Sequence, residues 1–303
     1  MEEIAFYSSQ SKITDPGEYL SLFAVLPVDI VSLVQIVQGL IIQENDGQLF
    51  DYVITKQRHI ETNLRYVKKM LAQIVALDKR DLTTVREPAQ RLVGTCRDFA
   101  LLLCAMLRYH QIPARIRVGF ARYIYPNTNF NSDHVVLEYW NANAKEWHLI
   151  DPRISAFHIA KKRFQIDFDV FNVPRTQFIS AGNAWLACQS GAAQADQYGF
   201  GLINRINGLW YIRNKIMQDL AALNKHEPLL WDVWGFMRQQ ASGVAPNDSQ
   251  KILFNQLASK INKNHKDSFA QLQLYYKNKN LAMPKQIIAC SPTLGEHAVT
   301  LED

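Results

Sequence analysis

Between Arg91 and His110 the chain reads RLVGTCRDFALLLCAMLRYH: a small-residue turn, a cysteine, then an apolar run from Phe99 to Leu107. Leu, Ala and Met lose little freedom in a helix, and no Pro or Gly interrupts them. The run is apolar nearly all round, which predicts a buried central helix rather than one lying on the surface. Cys96 falls in its first turn. Unpaired backbone N–H groups point out of that end and carry roughly half a positive charge, a setting that favours a thiolate over a thiol. The stretch therefore reads either as a sulfur nucleophile on a buried helix or as a core cysteine at a helix start.

What flanks this stretch differs on its two sides. Residues 15–43 read as helical, with Asp15-Pro16 as a start signal, a break at Pro27 and a second start at Asp29. Ile30, Leu33, Val34, Val37 and Ile41 follow at near-helical spacing. Residues 58–77 predict a third helix, with Leu64, Val67, Leu71, Ile74 and Val75 on one face. The front is thus expected to be all-helical up to a loop around Pro88. After Pro113 the period changes to strand-like alternation in Ala114–Ile124, Asp133–Trp140 and Glu146–Asp151. Further on, a short helix is expected near Trp185, a longer one over Leu209–Leu223, and an amphipathic helix over Lys251–Lys277. Ala241–Ser249 is a linker candidate, and the last twenty or so residues read as poorly ordered.

The two strands after Pro113 bring chemistry together. A four-residue loop over Asn141–Ala144 would set Glu138 opposite Trp147, Val136 opposite Leu149 and His134 opposite Asp151. Directly opposed residues have Cβ atoms about 5 Å apart, within reach of a carboxylate–imidazole hydrogen bond. A neutral imidazole oriented by an aspartate is a general base. Paired with a sulfur nucleophile it makes a Cys-His-Asp triad: Cys96 attacks an acyl carbon, His134 handles the proton and Asp151 orients the ring. The Cys96 N–H can hold the resulting oxyanion, with Gln90 or a nearby backbone amide as the second donor. Singly, each residue has a plainer role: His134 as a half-buried structural histidine, Asp151 before Pro152 as a turn residue.

The pattern GTCRDFALLLCAMLRYHQIPARIRVGF, then SDHVVLEYW, then EWHLIDPR, resembles the transglutaminase-like superfamily. In that family a cysteine at a helix start is followed by a G-I-P-A-R segment, a Gly-bearing strand, a strand histidine and a strand-end aspartate. Ile112-Pro113-Ala114-Arg115 and Gly119 occupy the corresponding places, and Cys96, His134 and Asp151 match the catalytic positions in order and spacing. The motif region covers roughly residues 90–153. The segments DPGEYLSLFAVLPVDIVSLVQIVQGL and GLWYIRNKIMQDLAALNKHEPLLWDVWG resemble the flanks of a bacterial branch of that family. The resemblance implies an α+β, papain-like core, with the Cys96 helix packed on a small antiparallel sheet and extra N- and C-terminal helices. It implies cysteine-dependent acyl transfer or hydrolysis at an amide: glutamine crosslinking, deamidation or peptide-bond cleavage of a protein or peptide substrate. No acidic cluster of the kind found in calcium-dependent animal crosslinkers is evident.

Other features bound this reading. The net charge of +5 over 303 residues is mild and spread along the chain, giving nucleic-acid binding no support. Four cysteines without a CxxC pair fit a reducing compartment. MEEIAFYSSQ lacks an apolar signal segment, and the apolar runs fall short of the roughly 18 residues a membrane span needs. The expectation is a cytoplasmic protein without membrane association, cofactor or metal, since no close ligand pair accompanies Cys96, His134 and Asp151. Cys104 reads as core. Trp185, Trp210, Trp231 and Trp234 read as packing before groove walls. Arg97 and Asp98 either tune the nucleophile or pair with each other. The expected organisation is a catalytic domain over residues 1–240 with a helical N-terminal layer, and a helical extension and tail over 250–303. The rival is a non-catalytic protein-binding module that keeps the fold.

Overall fold

In the computed structural model, which describes residues 2–201, 205–239, 243–262 and 266–302, the apolar run becomes a helix over Cys96–Tyr109. Every residue from Cys96 to Arg108 is buried, so the helix is surrounded on all sides. Asp98 caps its start: Oδ2 accepts from the Thr95 N–H at 2.8 Å and from the Thr95 hydroxyl at 3.0 Å.

The front layer is helical in part. Asp29 caps the helix Ile30–Leu40, its Oδ1 accepting from the Ser32 N–H at 2.8 Å. Ile41 does not continue that helix; it opens strand β1 (Ile41–Gln43), which pairs in parallel with β2 (Leu92–Gly94) just ahead of Cys96. An all-helical front is therefore incorrect. Ile41 keeps helical spacing in sequence, and its N–H still closes the last turn on the Val37 carbonyl, but its backbone turns extended and pairs with Leu92, about fifty residues away. The single helix expected over 58–77 is also broken, into short turns over Lys56–His59 and Ile60–Asn63 and a helix over Val67–Leu77. The break has a cause: the Leu64 and Arg65 carbonyls accept from the Arg97 guanidinium at 3.3 and 2.7 Å instead of helical N–H groups.

The main sheet is six-stranded: β3 (Ala114–Ala121), β4 (Asn131–Asn141), β5 (Glu146–Ile150), β6 (Phe178–Ser180), β7 (Tyr198–Phe200) and β8 (Ile206–Asn207). Its order is β6-β3-β4-β7-β8, with β5 on β4, and all pairs but β4–β7 are antiparallel. The β4–β5 register differs from the sequence expectation by two residues: Glu138 faces Leu149, and Trp140 faces Trp147. A shift of two keeps every side chain on its face, because the strand period is two.

Beyond the sheet, helices run over Ala181–Gln189 and Leu209–Leu223. Asp219 of the latter accepts from the Val118 N–H at 2.8 Å on a part of β3 that β6 does not reach. The amphipathic run after residue 247 is two helices, Asp248–Ile261 and Lys266–Tyr275; residues 263–265 lie outside the described residues, as do 241 and 242 of the linker candidate. The C-terminus is not a loose tail. β9 (Asp232–Val233) pairs with β10 (Gln286–Ser291), which forms a hairpin with β11 (Gly295–Thr300). The Glu302 N–H then donates to the Tyr66 hydroxyl at 2.7 Å, fastening the end to the front layer.

One apolar cluster joins the Cys96 helix to the front helices and to Ile116, Val118, Val135 and Leu137 of the sheet. A second joins Phe120 and Trp147 to Trp185, Ile216, Phe254, Leu257 and Ile287. Residues beyond 250 thus share a core with the sheet. Removing such large apolar side chains from water drives this assembly, at roughly 1.5–3 kcal/mol for each Leu, Ile or Phe fully buried.

Candidate active site

Cys96 is held from the strand side. β2 runs through Gly94 and Thr95 into the helix, and β1 lies alongside it, with the Glu44 N–H donating to the Gly94 carbonyl at 2.9 Å. On the other side of β2, the Glu61 carboxylate accepts from the Val93 N–H at 2.8 Å and pairs with Arg58. Cys96 itself is 7% exposed. As the first helical residue, it carries an N–H that has no acceptor within its own helix.

His134 sits on β4 opposite Gly119 of β3, and Asp151 directly follows the last residue of β5. Their side chains meet: His134 Nε2 lies 2.7 Å from Asp151 Oδ2, and both are buried. A carboxylate only accepts, so this contact puts the proton on Nε2 and leaves Nδ1 for the sulfur. The Cys96 side chain is within hydrogen-bonding reach of the imidazole. The three residues expected from sequence to form a triad are thus brought together.

Asp151 is fixed by more than the histidine. The Tyr123 hydroxyl donates to the same Oδ2 at 2.8 Å, and the Arg153 N–H donates to Oδ1 at 3.1 Å. Gln38 reaches across from the front layer to donate to the Pro152 and Ile154 carbonyls at 3.0 and 3.1 Å. Arg153 is anchored in turn on Asp46 at 3.1 Å, and Arg163 shares that carboxylate. Tyr123, Arg153, Gln38 and Asp46 were not singled out from sequence. Only Arg153, two residues from Asp151, had any local signal.

The charges follow from this packing. Burial alone pushes His134 down, but the Asp151 and Cys96 charges and their hydrogen bonds outweigh it and lift the imidazole to about 10. Burial likewise pushes Asp151 up, and the His134 charge, with hydrogen bonds from His134 and Tyr123, brings it below the ordinary carboxylate range. Tyr123 is raised well above its ordinary value by burial and by Asp151. A second polar group lies close by: Asp133 Oδ2 accepts from the Tyr211 hydroxyl at 2.7 Å and pairs with Lys215 at 3.0 Å. Tyr211 also feels the Cys96 charge.

Other residues weighed in the sequence fall elsewhere. Gln90 is half-buried and accepts from Arg80 at 3.4 Å. Arg97 and Asp98 pair with each other at 3.0 Å. Cys104 is buried, its thiol pushed up to about 12 by that burial. Trp185 and Trp234 are fully buried, and their indole N–H groups donate to Asn255 Oδ1 and the Leu281 carbonyl. Among the described residues, no three His, Cys, Asp or Glu side chains are grouped to hold a metal ion, and no helix is long and apolar enough to cross a membrane.

Compared with known proteins, residues 45–152 match the family model described as the transglutaminase-like superfamily. That span contains Cys96, His134 and Asp151. No curated protein and no solved structure matches the chain. The superfamily is one of generally enzymatic, cysteine-based chemistry, and the mixed helix-and-sheet architecture described above is consistent with its core. Over residues 45–152 the chain is thus similar to the transglutaminase-like superfamily.

Proposed function

We propose that this protein performs thiol acyl chemistry on an amide of a protein or peptide, with Cys96 as nucleophile, His134 as the proton-transfer group and Asp151 as its orienter. The observation that carries this reading is the buried imidazole bonded to Asp151 Oδ2 at 2.7 Å, with Cys96 near enough to raise its pKa. In the first half-reaction Cys96 Sγ bonds to the amide carbon, and the carbonyl pair moves onto oxygen. Collapse re-forms the carbonyl and breaks the C–N bond, and the departing nitrogen takes the proton from His134. In the second, water or a primary amine attacks the thioester, gives a proton to His134 and restores the thiolate–imidazolium pair. Water gives deamidation or peptide cleavage; an amine gives a crosslink. The cytoplasm, where thiols stay reduced, is the compartment that suits such a nucleophile.

The test uses a glutamine-rich protein such as dimethylated casein, with and without a fluorescent primary amine. Amine incorporation, ammonia release and new peptide ends are followed for the wild type and Cys96→Ala. Any of the three products, lost in Cys96→Ala, supports the reading and selects the acceptor. If no product forms and Cys96 also stays inert to iodoacetamide, the chain is instead a binding module that keeps the fold.

A further inference from the structure

We infer that the cavity between the front layer and the loop after β5 binds a small apolar carboxylate, with Arg91 as its charged partner. Cys96, His134 and Asp151 do not line this cavity, and the inference does not depend on the acyl-transfer reading.

The walls are apolar. The cavity encloses about 500 Å³ and is lined in large part by Ile41, Ile42, Leu49, Phe50, Phe99 and Phe157. Sites for small molecules have this size and this make-up, with a few polar groups that fix the orientation of the ligand. Phe50 comes from the front layer and Phe157 from the loop after β5, and their rings stack with centroids 4.6 Å apart. Phe157 is still 38% exposed, which leaves apolar area for a ligand to cover.

The charges select an anion. Of the charged side chains lining the cavity, Asp51, Glu87 and Lys161 are exposed to water, and His158 is buried beside Asp46 at 3.5 Å. Arg91 differs from all of them. It is partly buried, and no carboxylate among the described residues pairs with it. Its hydrogen bonds go to backbone carbonyls instead: Nε donates to Arg86 at 2.8 Å, and Nη1 reaches Gln38 at 3.4 Å. Nη2 donates to no described residue. Removal from water pulls the guanidinium below its ordinary value, and the Glu87 charge only partly offsets this.

Placement joins the two features. The Arg91 guanidinium stands 5.1 Å from the centre of the Phe50 ring, and the Lys161 ammonium 5.6 Å from that of Phe157. A carboxylate can take parallel N–H···O bonds from the two Nη groups while its apolar body lies along the aromatic wall. Gln38 also lines the cavity and donates to the Pro152 and Ile154 carbonyls, so the ligand sits beside the tie that holds the loop after Asp151. A ligand that binds only the folded chain raises its stability.

The experiment titrates 1-naphthoate and its uncharged analogue 1-naphthamide calorimetrically into wild type, Arg91→Gln, Arg91→Lys, Phe157→Ala and Cys96→Ala. Both Arg91 variants lose the Nε bond to Arg86, so comparing them separates the charge from support of that loop. Wild type is expected to bind naphthoate and to gain urea midpoint with it. Affinity should fall about tenfold or more for naphthamide and in Arg91→Gln, the loss that goes with a charge-assisted hydrogen bond. Arg91→Lys should fall between the two, Phe157→Ala should bind several-fold more weakly, and Cys96→Ala should match wild type. No binding of naphthoate at millimolar concentration overturns the inference. So do equal affinities for acid and amide, equal losses in the two Arg91 variants, or unchanged binding in Phe157→Ala. Binding lost in Cys96→Ala but kept in Arg91→Gln would place the ligand at the triad and overturn it as well.

Discussion

His134 and Asp151 touch at 2.7 Å through Nε2 and Oδ2 without being cross-strand partners, since the pairing of β4 with β5 ends at Leu137 and Ile150. Asp151 lies one residue past that last pair, diagonal to His134 on the same face, and the loop that follows is tied to Gln38 and Asp46. The contact therefore depends on the loop after β5 as much as on the sheet.

The first prediction concerns what that contact does for sulfur. With His134 held protonated by Asp151, a positive charge stands beside Cys96 at neutral and mildly acidic pH. His134→Ala removes it. The rate of iodoacetamide alkylation at Cys96, measured at pH 6 and located by mass spectrometry, should fall about tenfold or more, because the thiolate is the attacking form. Equal rates in the two proteins would mean that the imidazole does nothing for the thiol.

Tyr123 shares Asp151 Oδ2 with the histidine, and its ring stands edge-on to the imidazole with centroids 6.0 Å apart. Tyr123→Phe keeps the ring and removes one donor to a buried carboxylate. A hydrogen bond to a charged group contributes ~1.5–3 kcal/mol, so the urea midpoint should fall by a corresponding amount. Alkylation of Cys96 should slow by less than in His134→Ala, since the positive charge stays. A loss as large as in His134→Ala would show that the hydroxyl, not the carboxylate, sets the imidazole.

A pH dependence of stability follows from the same pair. The folded-state value of His134, about 10, lies above its ordinary 6.5, so its contribution is complete below about 6.5 and is lost as pH rises through 10. Asp151 is depressed, so its contribution is present above the ordinary carboxylate value and is lost as pH falls through its folded value. Urea unfolding of wild type and His134→Ala should therefore give a stability difference that shrinks steadily between pH 6.5 and 10. A difference that stays constant across that window would contradict the raised imidazole.

How much of this could be read in the sequence depends on how far away each partner lies. The Cys96 helix was legible because an uninterrupted apolar run has few other fates, and the helix Leu209–Leu223 has the bounds its pattern implies. The His134–Asp151 pairing was legible although the loop was misplaced, because a two-residue slip conserves faces. Tyr123 and Asp46 were not: each acts on a segment tens of residues away. Strand β1 was hidden too, because IIQ after a helix looks like more helix. The terminal hairpin was hidden by its polar outer face, although Ile287, Ala289 and Ser291 alternate inward.

The buried ion network beneath β4 yields a stability prediction. Glu138 is fully buried and pairs with Arg115, Arg117 and Arg175 at 2.7, 3.0 and 2.8 Å, while Arg117 also pairs with Asp219 at 3.0 Å. The arginines hold its carboxyl far below the ordinary range against the pull of burial. Glu138→Ala takes from two buried guanidinium groups the carboxylate they share, leaving Arg115 with Glu3 and Arg117 with Asp219, and should cost ~3 kcal/mol in urea unfolding. Lys251→Ala, which removes an exposed pair with Asp248, should leave the midpoint unchanged. Comparable midpoints for the two variants would show that the network contributes no more than a surface pair.

Gly119 links the sheet to the site. It sits in β3 between His134 of β4 and Ser180 of β6, and a Cβ placed there would lie 2.3 Å from the Ile179 carbonyl oxygen and 2.9 Å from the Phe178 ring. The oxygen belongs to backbone that already pairs with β3, so it cannot withdraw without moving β6 or tilting β3 against β4. Gly119→Ala should therefore cost ~1–3 kcal/mol, the range for overpacking, and also displace His134 relative to Cys96. The expected signature is a lower urea midpoint together with slower alkylation of Cys96 at pH 6. A lower midpoint with unchanged alkylation would confine Gly119 to packing. An unchanged midpoint would mean that β6 yields freely and that β4 owes its position to β5 and the Asp219 contact instead.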